Sequence, residues 1–217
     1  MKKILYFVAM TTLVIGTTVS CGKSTKGKMD ADWTIDTYTE TSTTTSGGST
    51  NEETATISGT VIKIETNNGS SVKKGTVNQA TWTISKDGTY EKITSFTFID
   101  TNLLNQVVTT NVTTTITGNW DFLTGVGEFA KNERVVFYTL NNKQVTSTTV
   151  NSGTPTVQTI SDTYLDGEVS EIYKITESKK KSLSLTFSGS NSTTTTQGSS
   201  SAMSKATDEK SYTLSSN

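Results

Sequence analysis

Histidine is absent from this sequence, and cysteine occurs once, as Cys21. Without histidine there is no side chain whose ordinary pKa suits general-base work at neutral pH, and the commonest transition-metal ligand is missing. A Ser-His-Asp triad is excluded for the same reason. Carboxylate pairs are what remain. Glu52 with Glu53, Glu128 with Glu133, and Asp162 with Asp166 are the arrangements that glycoside hydrolysis would use, but each falls in or near a predicted turn, where solvated acids are ordinary. The stretch DTYLDGE sets Asp162, Asp166 and Glu168 around a glycine; it offers oxygen ligands to calcium without the spacing of an EF-hand loop. Lys179, Lys180 and Lys181 form a basic run that reads either as a patch for an anionic surface or as a solvated hairpin tip. The net charge is −1, which leaves no electrostatic footprint for nucleic acid. The expectation is a protein that is no enzyme, with no cofactor and no metal.

Aromatic side chains are the other candidates for a site. Trp82, Tyr90, Phe96, Trp120 and Phe137 stand on alternating stretches and are the predicted ligand-binding residues. The same residues on the same strands would serve as ordinary core. In a barrel the two roles merge, because the interior is both core and pocket.

The start of the chain speaks to location. Lys2 and Lys3 precede an apolar stretch, Ile4–Ile15, which is shorter than the roughly 20 residues a membrane-spanning helix needs. Thr17-Thr18-Val19-Ser20 then places small residues before Cys21. The pattern resembles a bacterial lipoprotein signal over residues 1–20, with Cys21 as the acylated residue. Acylation also accounts for a lone thiol in an exported protein. Acyl chains contribute about 0.8 kcal/mol per buried methylene, so the expected protein is tethered to the membrane by its N-terminus. The residue after Cys21 is Gly22, which in proteobacterial sorting implies the outer membrane. Residues 21–30 read as an acylated cysteine and a flexible tether.

The positioning elements are strands. In TWTISKDGTYEKITSFTF (81–98), apolar and polar residues alternate on either side of Asp87-Gly88. Period two marks a strand with one buried face, and the Asp-Gly step marks a tight hairpin. Pairing Ser85 near Thr89 puts Ile84 and Tyr90 on one face. Asp32–Thr45 is predicted as the first strand, turning at Ser46–Ser49. Thr54–Glu65 is predicted as its return, with a bulge near Gly59 or Val61 to reconcile a change of parity. Asn102–Thr117 reads as strand up to a break at Gly118-Asn119, and Arg134–Leu140 as strand up to a turn at Asn141–Lys143. Val157–Leu165 reads as an irregular or edge segment. Glu168–Ile175 and Ser182–Phe187 read as a hairpin, residues 189–204 as a polar loop, and Lys210–Leu214 as a closing strand. Eight to ten short strands joined by polar turns predict one all-β domain over 31–217, an antiparallel barrel or sandwich.

The lipobox cysteine, the early Trp33 strand, the WTISKDGTY hairpin, GNWDF at Gly118–Phe122, NERVVF, and EIYKIT leading into SLSLTF together resemble the lipocalin-like lipoproteins of Bacteroidetes. The resemblance covers most of Asp30–Phe187. It implies an up-and-down β-barrel carried on an N-terminal lipid anchor at the cell envelope, with a small apolar molecule as the prospective ligand. Ala31 stands where true lipocalins carry the glycine of Gly-x-Trp. Arg134 is the only arginine; the resemblance implies stacking on Trp33 or Trp120, whereas its neighbours suggest an ion pair with Glu128 or Glu133. A structural or adhesive surface module that contacts protein or glycan is the alternative to ligand binding.

Overall fold

A computed structural model describes residues 25–216 apart from 47, 68, 124–132, 198 and 199. Residues 1–20, Cys21 and Glu128 lie outside this set. A short helix, α1 (Thr25–Met29), precedes eleven strands. These are β1 (Ala31–Ser46), β2 (Ser49–Ser58), β3 (Val61–Thr66), β4 (Ser71–Ile84), β5 (Thr89–Thr101), β6 (Val107–Leu123), β7 (Arg134–Val150), β8 (Thr156–Thr163), β9 (Val169–Lys179), β10 (Ser182–Gln197) and β11 (Ser200–Ser215). All pairings are antiparallel. Ten strands close a ring in the order β1-β2-β3-β4-β5-β6-β7-β9-β10-β11, and β8 hangs on β7. The expected all-β up-and-down barrel is the fold. No helix among the described residues is long and apolar enough to cross a membrane.

The ring does not have the same size at both ends. Near its start β1 pairs directly with β4, from Ala31↔Ile84 to Thr34↔Thr81. At this level the ring has eight strands. Further along, β1 and β4 part, and the β2–β3 hairpin fills the gap between them. Its turn reaches the fork: the Gly59 amide donates to the Asp36 carbonyl, and the Val77 amide to the Thr60 carbonyl. Both flanking strands shift register there, β1 between Ile35 and Thr37 and β4 between Val77 and Gln79. A bulge bends a strand and raises its twist, which is what diverging around an inserted hairpin requires. Barrel diameter grows with strand number, so the molecule is narrow at the eight-strand end and wider at the ten-strand end.

On the far side β7 changes partner midway. Arg134–Thr139 pair with β9, and Asn141–Thr148 with β8. The β6–β7 register shifts at the same level, between Thr117 and Gly118. Gly118 is required there, because a Cβ would lie 1.9 Å from the Tyr138 carbonyl oxygen. Above the switch β8 pairs with β7 alone, and every residue of β8 is exposed.

The core follows strand parity. Trp33, Trp82, Ile84, Val135, Phe137, Tyr173, Leu183, Leu185 and Leu214 are each at most 2% exposed, and all lie at or near the narrow end by register. Trp33 faces Trp82 across the direct β1–β4 pairing. Burying such side chains contributes about 1.5–3 kcal/mol each. Met29 is fully buried and its carbonyl accepts from Trp33 Nε1 at 2.8 Å, so α1 plugs this end.

Five sequence expectations need correction. Thr54–Glu65 is not one bulged strand. It breaks at Gly59, whose φ of +57° suits a tight turn and glycine, and Ile57 pairs with Ile62 across it. Asn141–Lys143 is not a turn but the level at which β7 trades β9 for β8. Gly118-Asn119 does not end its strand, because the bulge lets β6 run through to Leu123. Residues 189–204 are not a loop: β10 and β11 pair continuously from Ser182↔Ser215 to Gln197↔Ser200. Their Ser/Thr content is compatible with strands, since β-branched threonine favours extended backbone. Finally, Thr25–Met29 is helix rather than flexible tether. The 81–98 hairpin is as expected, with the Ser85 amide donating to the Thr89 carbonyl at 3.0 Å and Ile84 paired with Tyr90.

Candidate functional site

Above the fork the barrel holds a cavity of about 300 Å³. The inserted hairpin supplies one wall through Ala55, Ile57, Ile62 and Ile64. Strands β5 and β6 supply Phe96, Thr94, Thr114 and Ile116 opposite. Its size matches the lower end of small-molecule sites. The cavity exists because the extra hairpin widens the ring at the level where the narrow end's indole and phenyl rings stop.

Between cavity and aromatic core lies a layer of charged and phenolic side chains. Lys92, Lys210, Glu40, Tyr38 and Tyr212 face the cavity. Each sits on the inward parity of its strand: Lys92 between Tyr90 and Thr94, Lys210 before Tyr212 and Leu214, and Glu40 after Tyr38. Lys210 Nζ donates to Glu171 at 2.5 Å and pairs with Glu40 at 3.1 Å. The Tyr38 hydroxyl donates to Glu40, and the Tyr173 hydroxyl to Glu171 at 2.7 Å. Lys92 Nζ donates to the Tyr212 hydroxyl at 3.3 Å and lies 5.1 Å from the centre of the Trp82 ring. The Tyr38 and Tyr212 rings pack with centroids 4.6 Å apart.

The electrostatics follow from these contacts. Burial disfavours the Glu171 carboxylate, but the ammonium groups of Lys210 and Lys92 outweigh it and hold the carboxyl below its ordinary value. Burial works against the Lys210 ammonium too, and Glu171 and Glu40 raise it overall. Lys92 is also raised, with burial opposed by Tyr212 and Glu171. Burial pushes the Tyr38 and Tyr173 phenols up, and the neighbouring phenol and carboxylate groups add to it. The Lys92 and Lys210 ammonium groups and the Glu171 carboxylate are thus favoured in their charged forms, and the Tyr38 and Tyr173 phenols in their neutral forms.

Of the residues singled out in the sequence, Phe96 lines the cavity. Trp82, Tyr90 and Phe137 pack on one another beneath the charged layer, Trp82 and Phe137 with centroids 4.6 Å apart and Tyr90 and Phe137 5.0 Å apart. Trp120 lies near the narrow end, its Nε1 donating to the Ser85 carbonyl at 2.7 Å, with Lys26 of α1 5.8 Å from its ring. Trp33 caps Met29. Arg134 opens β7 opposite Leu123 and Lys174, on the other parity from Val135 and Phe137. No group of three or more His, Cys, Asp or Glu able to hold a metal exists among the described residues, and Glu128 lies outside them. Sequence reasoning missed Lys92, Lys210, Glu40 and Glu171. The available signal was a charge on the inward parity of a strand.

No protein-family model, no curated protein and no solved structure matches this chain.

Proposed function

We propose that this protein is a lipid-anchored binding protein of the cell envelope whose wide half takes up a small, mainly apolar molecule. One observation carries the reading: an apolar-walled cavity of about 300 Å³, lined by Ile57, Ile62, Ile64, Phe96 and Ile116, in the wide half of the closed barrel. The eight-strand level of this ring is filled by its own side chains; the inserted hairpin widens the ring, and a wider barrel has room for a ligand. The anchor rests on Cys21 and the signal before it. The reading is binding rather than catalysis, since the cavity wall is mainly hydrocarbon, with Thr94 and Thr114 its hydroxyls, and Lys210, Glu40 and Tyr38 are held in ion pairs and hydrogen bonds.

Residues 22–217 contain every described element, so a soluble protein beginning at Gly22 carries the complete ring. The test is uptake of the neutral fluorophore N-phenyl-1-naphthylamine by this protein, together with native mass spectrometry after expression in a bacterial periplasm. Saturable fluorescence that is lost in Ile57→Trp, which fills the cavity, supports the proposal. Fluorescence unchanged in Ile57→Trp overturns it.

The second reading, a surface module that contacts protein or glycan, is favoured by β8. Val157, Ile160 and the nearby Leu165 are 50–78% exposed beside a strand edge with no partner in the sheet. Unpaired edges invite strand addition.

A further inference from the structure

We infer that the cavity takes an amphipathic anion, with a single acidic head group received by Lys92 and an apolar body lying against the β2–β3 hairpin. The inference rests on the cavity being a binding site and adds the chemistry of what enters it.

At the cavity floor most polar groups already have partners. Lys210 and Glu40 already satisfy one another, and Glu40, the acid in the lining, is further held by the Tyr38 hydroxyl. Glu171, below, is held by Lys210 and Tyr173. Lys92 differs. Among the described residues it forms no ion pair with a carboxylate; its hydrogen-bond partner is the Tyr212 hydroxyl. An ammonium group has three N–H donors; one goes to Tyr212, the Trp82 and Tyr212 rings lie 5.1 and 5.5 Å from Nζ, and the cavity is where a stronger acceptor can reach it. Beneath it, the Trp82 Nε1–H is buried without an acceptor among the described residues. Trp82, Lys92, Ile116 and Asn142 follow one another across four neighbouring strands, and the row also holds one buried acceptor without a partner, Asn142 Oδ1, where buried polar groups are expected to be paired. Both carboxylates of the layer, Glu40 and Glu171, bond to Lys210, so among the described residues Lys92 is the ammonium group at the cavity floor left without a carboxylate contact.

The walls define the rest of the molecule. Ala55, Ile57, Ile62, Ile64, Phe96 and Ile116 offer no hydrogen-bonding side chain and outnumber the Thr94 and Thr114 hydroxyls on the β5–β6 wall, so the body opposite them is mainly hydrocarbon. A charged head at one end and an apolar body at the other is the complement of this surface. A neutral apolar molecule would bury the Lys92 ammonium with its donors unmet, and a cation would face it directly.

The test uses the protein beginning at Gly22 at pH 8, loaded with N-phenyl-1-naphthylamine and titrated with decanoate or with 1-decanol, which share one chain and differ in the head. Decanoate is expected to displace the probe at about tenfold lower concentration, the worth of one charge-assisted hydrogen bond. Lys92→Met should remove that preference and leave displacement by decanol unchanged, while Lys92→Arg should keep it. Equal displacement by the two in the wild-type protein overturns the inference and leaves the binding site standing. A preference that survives in folded Lys92→Met also overturns it. Failure of the probe to bind at all overturns the cavity reading, and this inference falls with it. The wild-type comparison decides the matter even if Lys92→Met does not fold.

Discussion

The two ends of this barrel are built from the same kind of strand and behave as different materials. At the narrow end β1 meets β4 directly, and Trp33, Trp82, Tyr173 and Leu214 fill the ring. At the wide end the same two strands are held apart by a hairpin, and the interior holds a cavity and a charged layer. Side-chain chemistry alone does not make this difference, since Phe96 and Ile57 are as apolar as Phe137 and Ile84. Strand number does. In this molecule the eight-strand level is filled by its own side chains, and the level widened by the inserted hairpin leaves a cavity. Stability is therefore concentrated at one end and vacancy at the other.

The comparison can be broken most directly at the narrow end. Trp82→Ala should cost about 3–5 kcal/mol, the usual penalty for deleting a buried tryptophan, read from the midpoint of urea unfolding. A loss no larger than that of a cavity-wall substitution such as Ile64→Ala would mean that the two ends are not distinct. Next comes the charged layer between them. Lys210→Met strands Glu40 and Glu171 and should cost about 2–4 kcal/mol, somewhat less than for a fully buried pair. Thermal unfolding would read this, and a neutral outcome would place the layer in effective contact with water.

The pH dependence sharpens the same point. The Glu171 carboxyl is held below its ordinary value of 4.5 in the folded protein. Its contribution is then fully present above 4.5 and is lost as the pH falls through the depressed folded value. Wild-type protein should be more stable than Glu171→Gln near neutrality, and the two should converge in acid. Parallel stability curves across that range would remove Glu171 from the account. Smaller again is Gly59→Ala at the hairpin turn, where φ is +57° and a Cβ costs about 1–2 kcal/mol. The steric space there is open, so the loss measures backbone conformation alone. Thr45→Ala, on the wide rim where Thr45 and Thr50 hydroxyls lie 3.2 Å apart and exposed, should move stability by less than about 0.5 kcal/mol.

How legible each end was in the sequence follows from the same division. The 81–98 hairpin could be read outright, because alternation and an Asp-Gly turn both act over a few residues. The inserted hairpin could not. A change of parity between Ile57 and Ile62 is what a bulge and a two-residue turn both produce, and only the path of β1 and β4 around it decides which. The upper halves of β10 and β11 were hidden by composition, since a Ser/Thr run carries no apolar face to count. The charged layer was half legible. Lys92, Lys210, Glu40 and Glu171 each occupy an inward parity, yet what makes them a cluster is pairing between distant strands, such as Glu40 with Lys210. Short-range patterns do not encode such a meeting.

The seam between β1 and β11 carries one more consequence. It joins Thr34 to Ser215 and continues to Ser46 against Ser204, the first strand of the ring against the last. Hairpins along the way can form as soon as their own residues are available, but this seam cannot. Pairings so remote in sequence are slow to find because a long loop must close first. During synthesis Trp33 waits beside an unpaired edge until β11 has emerged. The interval before that last zipping is when the chain is most exposed to aggregation, so the speed of closure matters as well as the strength of the finished barrel.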